Sequence, residues 1–157
     1  MAQTEDVPWL DDDEQQAWLS LASLLVRLPA ALDAQLRRDA GLSHFEYMVL
    51  AALSMSDDRT MRMSDLAVIA EGSLSRLSHT CKRLESQQWI TRHPDPEDGR
   101  ITRAFLTEAG YAKVAETAPG HVRTVRRLVL EPLTKAQVDQ LATIINRIND
   151  AIEPRWP

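Results

Sequence analysis

The chain has 157 residues, 44% hydrophobic and 26% charged, with five Gly and eight Pro, which fits one domain or one protomer of an oligomer and excludes collagen-like, low-complexity and disordered chains. No unbroken apolar run approaches the roughly 18 to 20 residues that cross a bilayer, Met1–Leu10 lacks the pattern of a secretory signal, and the single Cys81 permits no internal disulfide, so a soluble cytoplasmic protein is expected. The net charge of -5 hides an uneven distribution, because residues 1–58 hold 11 acids against 3 bases while residues 59–103 hold 6 against 8.

Acidic residues Asp11–Glu14 suit a helix N-terminus, and Trp18, Leu21, Leu25, Leu28, Leu32 and Leu36 then recur three or four apart, which predicts a long amphipathic helix ending at Gly41. Pro29 lies inside it and predicts a kink. Ser43 with Glu46 forms a capping box for a second helix carrying Phe45, Val49, Leu50 and Leu53. After a short strand near Met61–Met63, Ser64 is expected to open a helix of about two turns before Gly72. Ser73 caps the next helix, whose Leu74, Leu77, Cys81 and Leu84 point inward while Ser75, Arg76, Ser78, His79, Lys82 and Arg83 lie on or beside the outer face.

Two short helices joined by a glycine turn form a helix-turn-helix pattern. Trp89–Arg92 and Ile101–Leu106 read as strands around a turn rich in Pro and Gly, which adds a wing. Thr107 caps a helix with an expected bend at Pro119-Gly120, and Thr134 with Gln137 caps the last helix. Its Val138, Leu141, Ile145, Ile148 and Ile152 form a pairing seam. The expected fold is mainly α with a small β-hairpin. Residues 1–42 and 108–157 would supply dimerisation helices around a winged domain at 43–107, and the long terminal helices call for a two-fold homodimer.

No phosphate-cradling glycine motif, nucleophile elbow or paired-histidine metal motif occurs, so neither an enzyme nor a cofactor or metal site is expected. Duplex DNA instead requires a groove-sized helix with short donors at its leading end and cations aimed at phosphates. Ser73 and Ser75 suit phosphate, Arg76 and His79 base edges, and Lys82 and Arg83 the backbone. At the wing, Gly99 permits a tight turn, Arg100 can enter the minor groove, and Asp98 can hold Arg100 or another wing arginine such as Arg103.

The chain resembles the MarR (multiple antibiotic resistance regulator) family of winged helix-turn-helix transcription factors over nearly its whole length. The resemblance rests on Leu66-Ala67, on Ser75, Ser78 and Arg83-Leu84-Glu85, on Trp89-Ile90-x-Arg92, and on Asp98-x-Arg100 leading into Leu106-Thr107-x-x-Gly110. It implies that Ser75, Arg76, Ser78, His79 and Lys82 meet the major groove and that Arg100 is the wing arginine. Where many members carry Arg this chain has His79, so base preference does not carry over. The resemblance further implies a regulator, a repressor rather than an activator, bound to a pseudo-palindromic operator and released by a small aromatic or anionic effector.

Trp18, His44, Tyr47, Met48 and Met55 lie on helices expected to border the effector pocket. Some relatives sense oxidants, but Cys81 falls on the inner face of its helix, where a buried thiol is unreactive. Two alternatives to DNA binding are a helical dimer that binds a protein partner through an inert winged scaffold, and a small-molecule enzyme with a hidden site.

Overall fold

The structure, a computed structural model, describes residues 7–70 and 72–152. Helix α1, Asp12–Ala40, starts where the Asp11 carboxylate accepts the Glu14 N–H and the Glu14 carboxylate accepts the Asp11 N–H, and it ends at Gly41, whose φ of 69° is left-handed. Helix α2, His44–Met55, starts at the Ser43–Glu46 capping box. A 3-10 turn, Asp57–Arg59, leads into strand β1, Thr60–Arg62, and helix α3, Met63–Ile69. Helix α4, Leu74–Ser86, follows its Ser73 cap. Strands β2, Ile90–Pro94, and β3, Thr102–Leu106, form the wing, and helix α5 spans Glu108–Val125. A π-helical turn, Arg126–Leu130, joins α5 to helix α6, Lys135–Ala151.

The sheet is antiparallel in the order β1-β3-β2, with Arg62 opposite Arg103 and Ile90 opposite Leu106. It carries three strands because extended residues 60–62 pair along the free edge of the hairpin. That pairing also moves the start of α3: the extended Arg62 is its N-cap, and Ser64 lies inside the first turn.

Both prolines sit in uninterrupted helices. Each proline deprives the carbonyl four residues earlier of its usual N–H partner, and those residues, Leu25 and Ala115, are exposed. Helix α5 runs on through Pro119-Gly120, and a π-helical turn follows it at Arg126–Leu130.

The core is continuous through the winged domain. Leu36, Leu42, Val49, Leu50, Leu53, Leu66, Leu77, Cys81, Leu84, Ile90 and Ala104 are buried together, and each large aliphatic among them contributes roughly 1.5 to 3 kcal/mol. At its edge, α5 begins against the first residues of the wing. A Cβ on Gly110 would lie 2.0 Å from the Trp89 carbonyl oxygen, while the Thr107 hydroxyl donates to the Gln88 carbonyl at 2.7 Å.

The terminal helices contribute little to this core. Only Leu32, Gln35 and Leu36 of α1 are buried, and α6 buries none of its residues. Trp18, Leu24, Leu25 and Val26 on α1 and Ile144, Ile145, Ile148 and Ile152 at the chain's end are left exposed. Contrary to the expectation from unbroken runs, α1 is long and apolar enough by length and composition to cross a membrane. Its charged residues cluster toward the two ends, with Arg27 alone between Glu14 and Asp33, which leaves one such stretch.

Candidate nucleic-acid interface

Helix α4 has four distinct sides. Leu77, Cys81 and Leu84 face the core, and Ser75, His79, Lys82 and Ser86, spaced four, three and four apart, form an exposed row on the opposite side. Leu74, expected inside, is 58% exposed because it lies a turn before the helix meets the core. The Ser73 hydroxyl accepts the Arg76 N–H at 3.2 Å and keeps its own hydrogen for an outside acceptor.

The two flanks of α4 are fastened to the rest of the domain. On the α2 side, the Arg76 guanidinium stacks 4.1 Å from the Phe45 ring centroid. Arg83 pairs with the buried Glu46 carboxylate at 3.0 Å and donates to the Gly41 carbonyl at 3.2 Å. On the wing side, Arg92 donates to Glu85 at 2.6 Å and approaches the Ser78 hydroxyl at 3.5 Å, and its buried Nε has no hydrogen-bond partner among the described residues. Arg92 holds the Glu85 carboxyl below the usual carboxylate range. Of the residues singled out in sequence, Ser75, His79 and Lys82 therefore share the outward row, Ser73 caps it, and Arg76, Ser78 and Arg83 lie on its flanks.

The wing turn is organised by two carboxylates. Asp98 accepts Arg100 Nε at 3.0 Å and Nη2 at 3.1 Å, leaving the arginine 92% exposed at the tip. Asp95, nearly buried, accepts the Arg103 guanidinium and the backbone N–H groups of Glu97 and Asp98. The Arg103 bond, with those N–H groups, pulls the Asp95 pKa down to about 2. The sequence offered Asp98 as the partner of Arg100 or of another wing arginine such as Arg103; Asp98 holds Arg100, and Arg103 goes to Asp95, which the sequence reading missed. The Asp95-Pro96 pair is a turn-initiating signal that could have identified it.

A cleft of about 740 Å³ lies between α1, α2 and the start of α4. Pro29, Phe45 and Met48 give it apolar walls, and Asp33, Arg37, His44 and Arg76 its polar ones. Asp33 is tied by Arg37 and by the His44 N–H at 2.8 Å, which hold its carboxyl below the usual range. Of the five residues expected around a pocket, His44 and Met48 line this one. Tyr47 lies behind it, 4.6 Å from the His121 ring, Met55 is 80% exposed beside a different groove, and Trp18 is exposed on the distant half of α1.

Behind the cleft, His121 on α5 meets Gln35 of α1 at 3.2 Å and lies 6.0 Å from the His44 ring. Burial pushes the pKa of both histidines down, and for His121 the neighbouring His44 adds to the effect.

Residues 40–101 match the sequence profile of the MarR family. The chain is 39% identical to Sco3205, a MarR family transcriptional regulator from Streptomyces coelicolor solved in complex with DNA, with 96% of this chain and 94% of that one covered and a TM-score of 0.91. It is 34% identical to AbsC, a MarR family transcriptional regulator of the same organism, with 95% and 100% covered and a TM-score of 0.89. A third relative, the HTH-type transcriptional regulator MhqR of Bacillus subtilis, is 25% identical over 109 residues, which is 69% of this chain and 72% of that protein.

Proposed function

Since the chain belongs to the MarR family, we propose that it is a sequence-specific DNA-binding transcriptional regulator, a repressor that leaves its operator when a small molecule fills the cleft. The observation that carries this reading is the exposed row Ser75, His79 and Lys82 beside a wing arginine fixed by Asp98. A hydroxyl, an imidazole and an ammonium on one helix face suit base edges and phosphates of the major groove, and a pre-positioned guanidinium suits the minor groove. No bond chemistry is required, and the role belongs in the compartment that holds the DNA.

Residues 43–107 form the reading head in this proposal. The apolar surfaces left open on α1 and α6 support burial between two copies, through 1–42 and 108–157. A two-fold dimer would set two α4 helices about 34 Å apart, one turn of duplex.

The cleft's apolar walls and two guanidiniums, Arg37 and Arg76, suit an anionic ligand with an aromatic or aliphatic body. Arg76 and Thr80 belong to α4 and also line the cleft, so a ligand that draws Arg76 off Phe45 acts directly on the reading helix. It would release DNA by its preference for the dimer conformation with the wrong spacing.

Salt titration of duplex binding tests the core of the proposal. Neutralising on the order of six phosphates gives log affinity falling with log salt at a slope near -5. Binding of a protein partner alone, or catalysis at a hidden site, would leave duplex affinity without that slope.

A further inference from the structure

Three of the cations around the wing are already matched to carboxylates: Arg92 to Glu85, Arg100 to Asp98 and Arg103 to Asp95. Arg62 is not. It is exposed, forms no ion pair with the described residues, and ends β1 directly opposite Arg103 on β3, one strand across from the root of the wing turn. Its charge extends over the wing, since it helps to lower the Asp98 pKa after the stronger effect of Arg100. Asp57 and Asp65 share a shallow groove with it, but neither comes within ion-pair distance.

The placement of Arg62 gives that charge a direction. The residue is the extended N-cap of α3, the first helix of the helix-turn-helix pair, and the first helix of such a pair crosses the sugar-phosphate backbone while the second enters the groove. A cation at the junction of α3 and the wing therefore meets phosphate rather than base edges.

We infer that Arg62 is a further DNA contact, a phosphate clamp at the root of the wing that supplies affinity independent of sequence. The inference rests on the DNA-binding reading and adds a division of labour to it. The carboxylate-held Arg100 is positioned for the minor groove, whereas Arg62 contributes charge that no carboxylate among the described residues holds in an ion pair.

The test uses the full-length protein with two duplexes of equal length, one selected from random DNA and one scrambled, across a series of salt concentrations. Arg62→Ala is expected to weaken binding to both duplexes by a similar factor, roughly 5- to 10-fold at low salt, and to reduce the salt slope by about 1 per subunit. Arg62→Lys is expected to restore most of both, and unfolding temperatures should not move because the side chain is exposed. An unchanged slope, a loss confined to the selected duplex, or a lowered unfolding temperature that Lys does not repair would each overturn the assignment. If the unaltered protein binds neither duplex, the DNA-binding reading itself fails, which is a distinguishable result.

Discussion

The Arg76 guanidinium carbon lies over the Phe45 ring, 4.1 Å from its centroid, so one side chain of α4 faces the cleft and braces α4 against α2. From that geometry Arg76→Ala is expected to cost less than about 1 kcal/mol of operator affinity, the range of an exposed cation–π contact. Arg100→Ala is expected to cost roughly 1 to 3 kcal/mol. Fluorescence anisotropy with a selected duplex separates the two. Equal losses would return Arg76 to the set of base-reading residues.

Gly110 tests the join between α5 and the wing. A methyl group there would lie 2.0 Å from the Trp89 carbonyl oxygen and 2.7 Å from Leu106 Cδ1, and the first of these is backbone that cannot swing aside. Gly110→Ala is expected to destabilise the fold by about 3 kcal/mol or more, as overpacking at a rigid contact does. A urea unfolding midpoint equal to the parent's would show that the helix start can retreat without cost.

Acid should loosen the junction of α1, α2 and α5. His44 and His121 have folded-state pKa values below 6.5 because burial disfavours their charged forms. The unfolded chain therefore takes up protons first. Stability is fully present above about pH 6.5, declines as pH falls below it, and levels off once pH passes below the folded values. His121→Gln should flatten that part of the profile, measured by chemical unfolding between neutral and mildly acidic pH. An unchanged profile in the variant would assign the acid sensitivity elsewhere.

Cys81 is buried, and that burial raises its pKa to about 11, so almost no thiolate exists at neutral pH. Iodoacetamide is expected to label the native protein far more slowly than the urea-unfolded chain, and mild peroxide to leave operator affinity intact. Rapid native labelling would reopen oxidant sensing.

Much of this fold is legible in the sequence because its signals are local. Ser43, Ser73, Thr107 and Thr134 each cap the helix that their position announces, Asp11 caps the helix whose acidic start it marks, and Gly41 supplies the left-handed stop. The site is less legible because helical spacing tells inside from outside but not one flank from the other. Arg76 and Arg83 fall on the cationic side of the wheel, yet Phe45 and Glu46, about 30 residues or more away in sequence, decide where they point. The same holds for Asp95, whose partner Arg103 lies across the hairpin. Met55 and Trp18 illustrate the converse: an apolar residue on a bordering helix need not face the cleft, since the helix axis fixes which turn reaches it.

The acidic start of α1 bears on how a chain with a net charge of -5 can hold a polyanion at all. The helix has 29 residues and is therefore about 43 Å long, and its far end adjoins α4, where Arg83 donates to the Gly41 carbonyl. Asp11–Glu14 are thus kept several screening lengths from the reading helix, since dissolved ions damp such fields over about 8 Å at physiological salt. If α4 enters the groove as proposed, a duplex docked there lies beyond the screened reach of these acids within the same chain. On that reading, a duplex approaching the opposite end of α1 would meet Asp11–Glu14 directly, and the same acids would discourage backwards encounters.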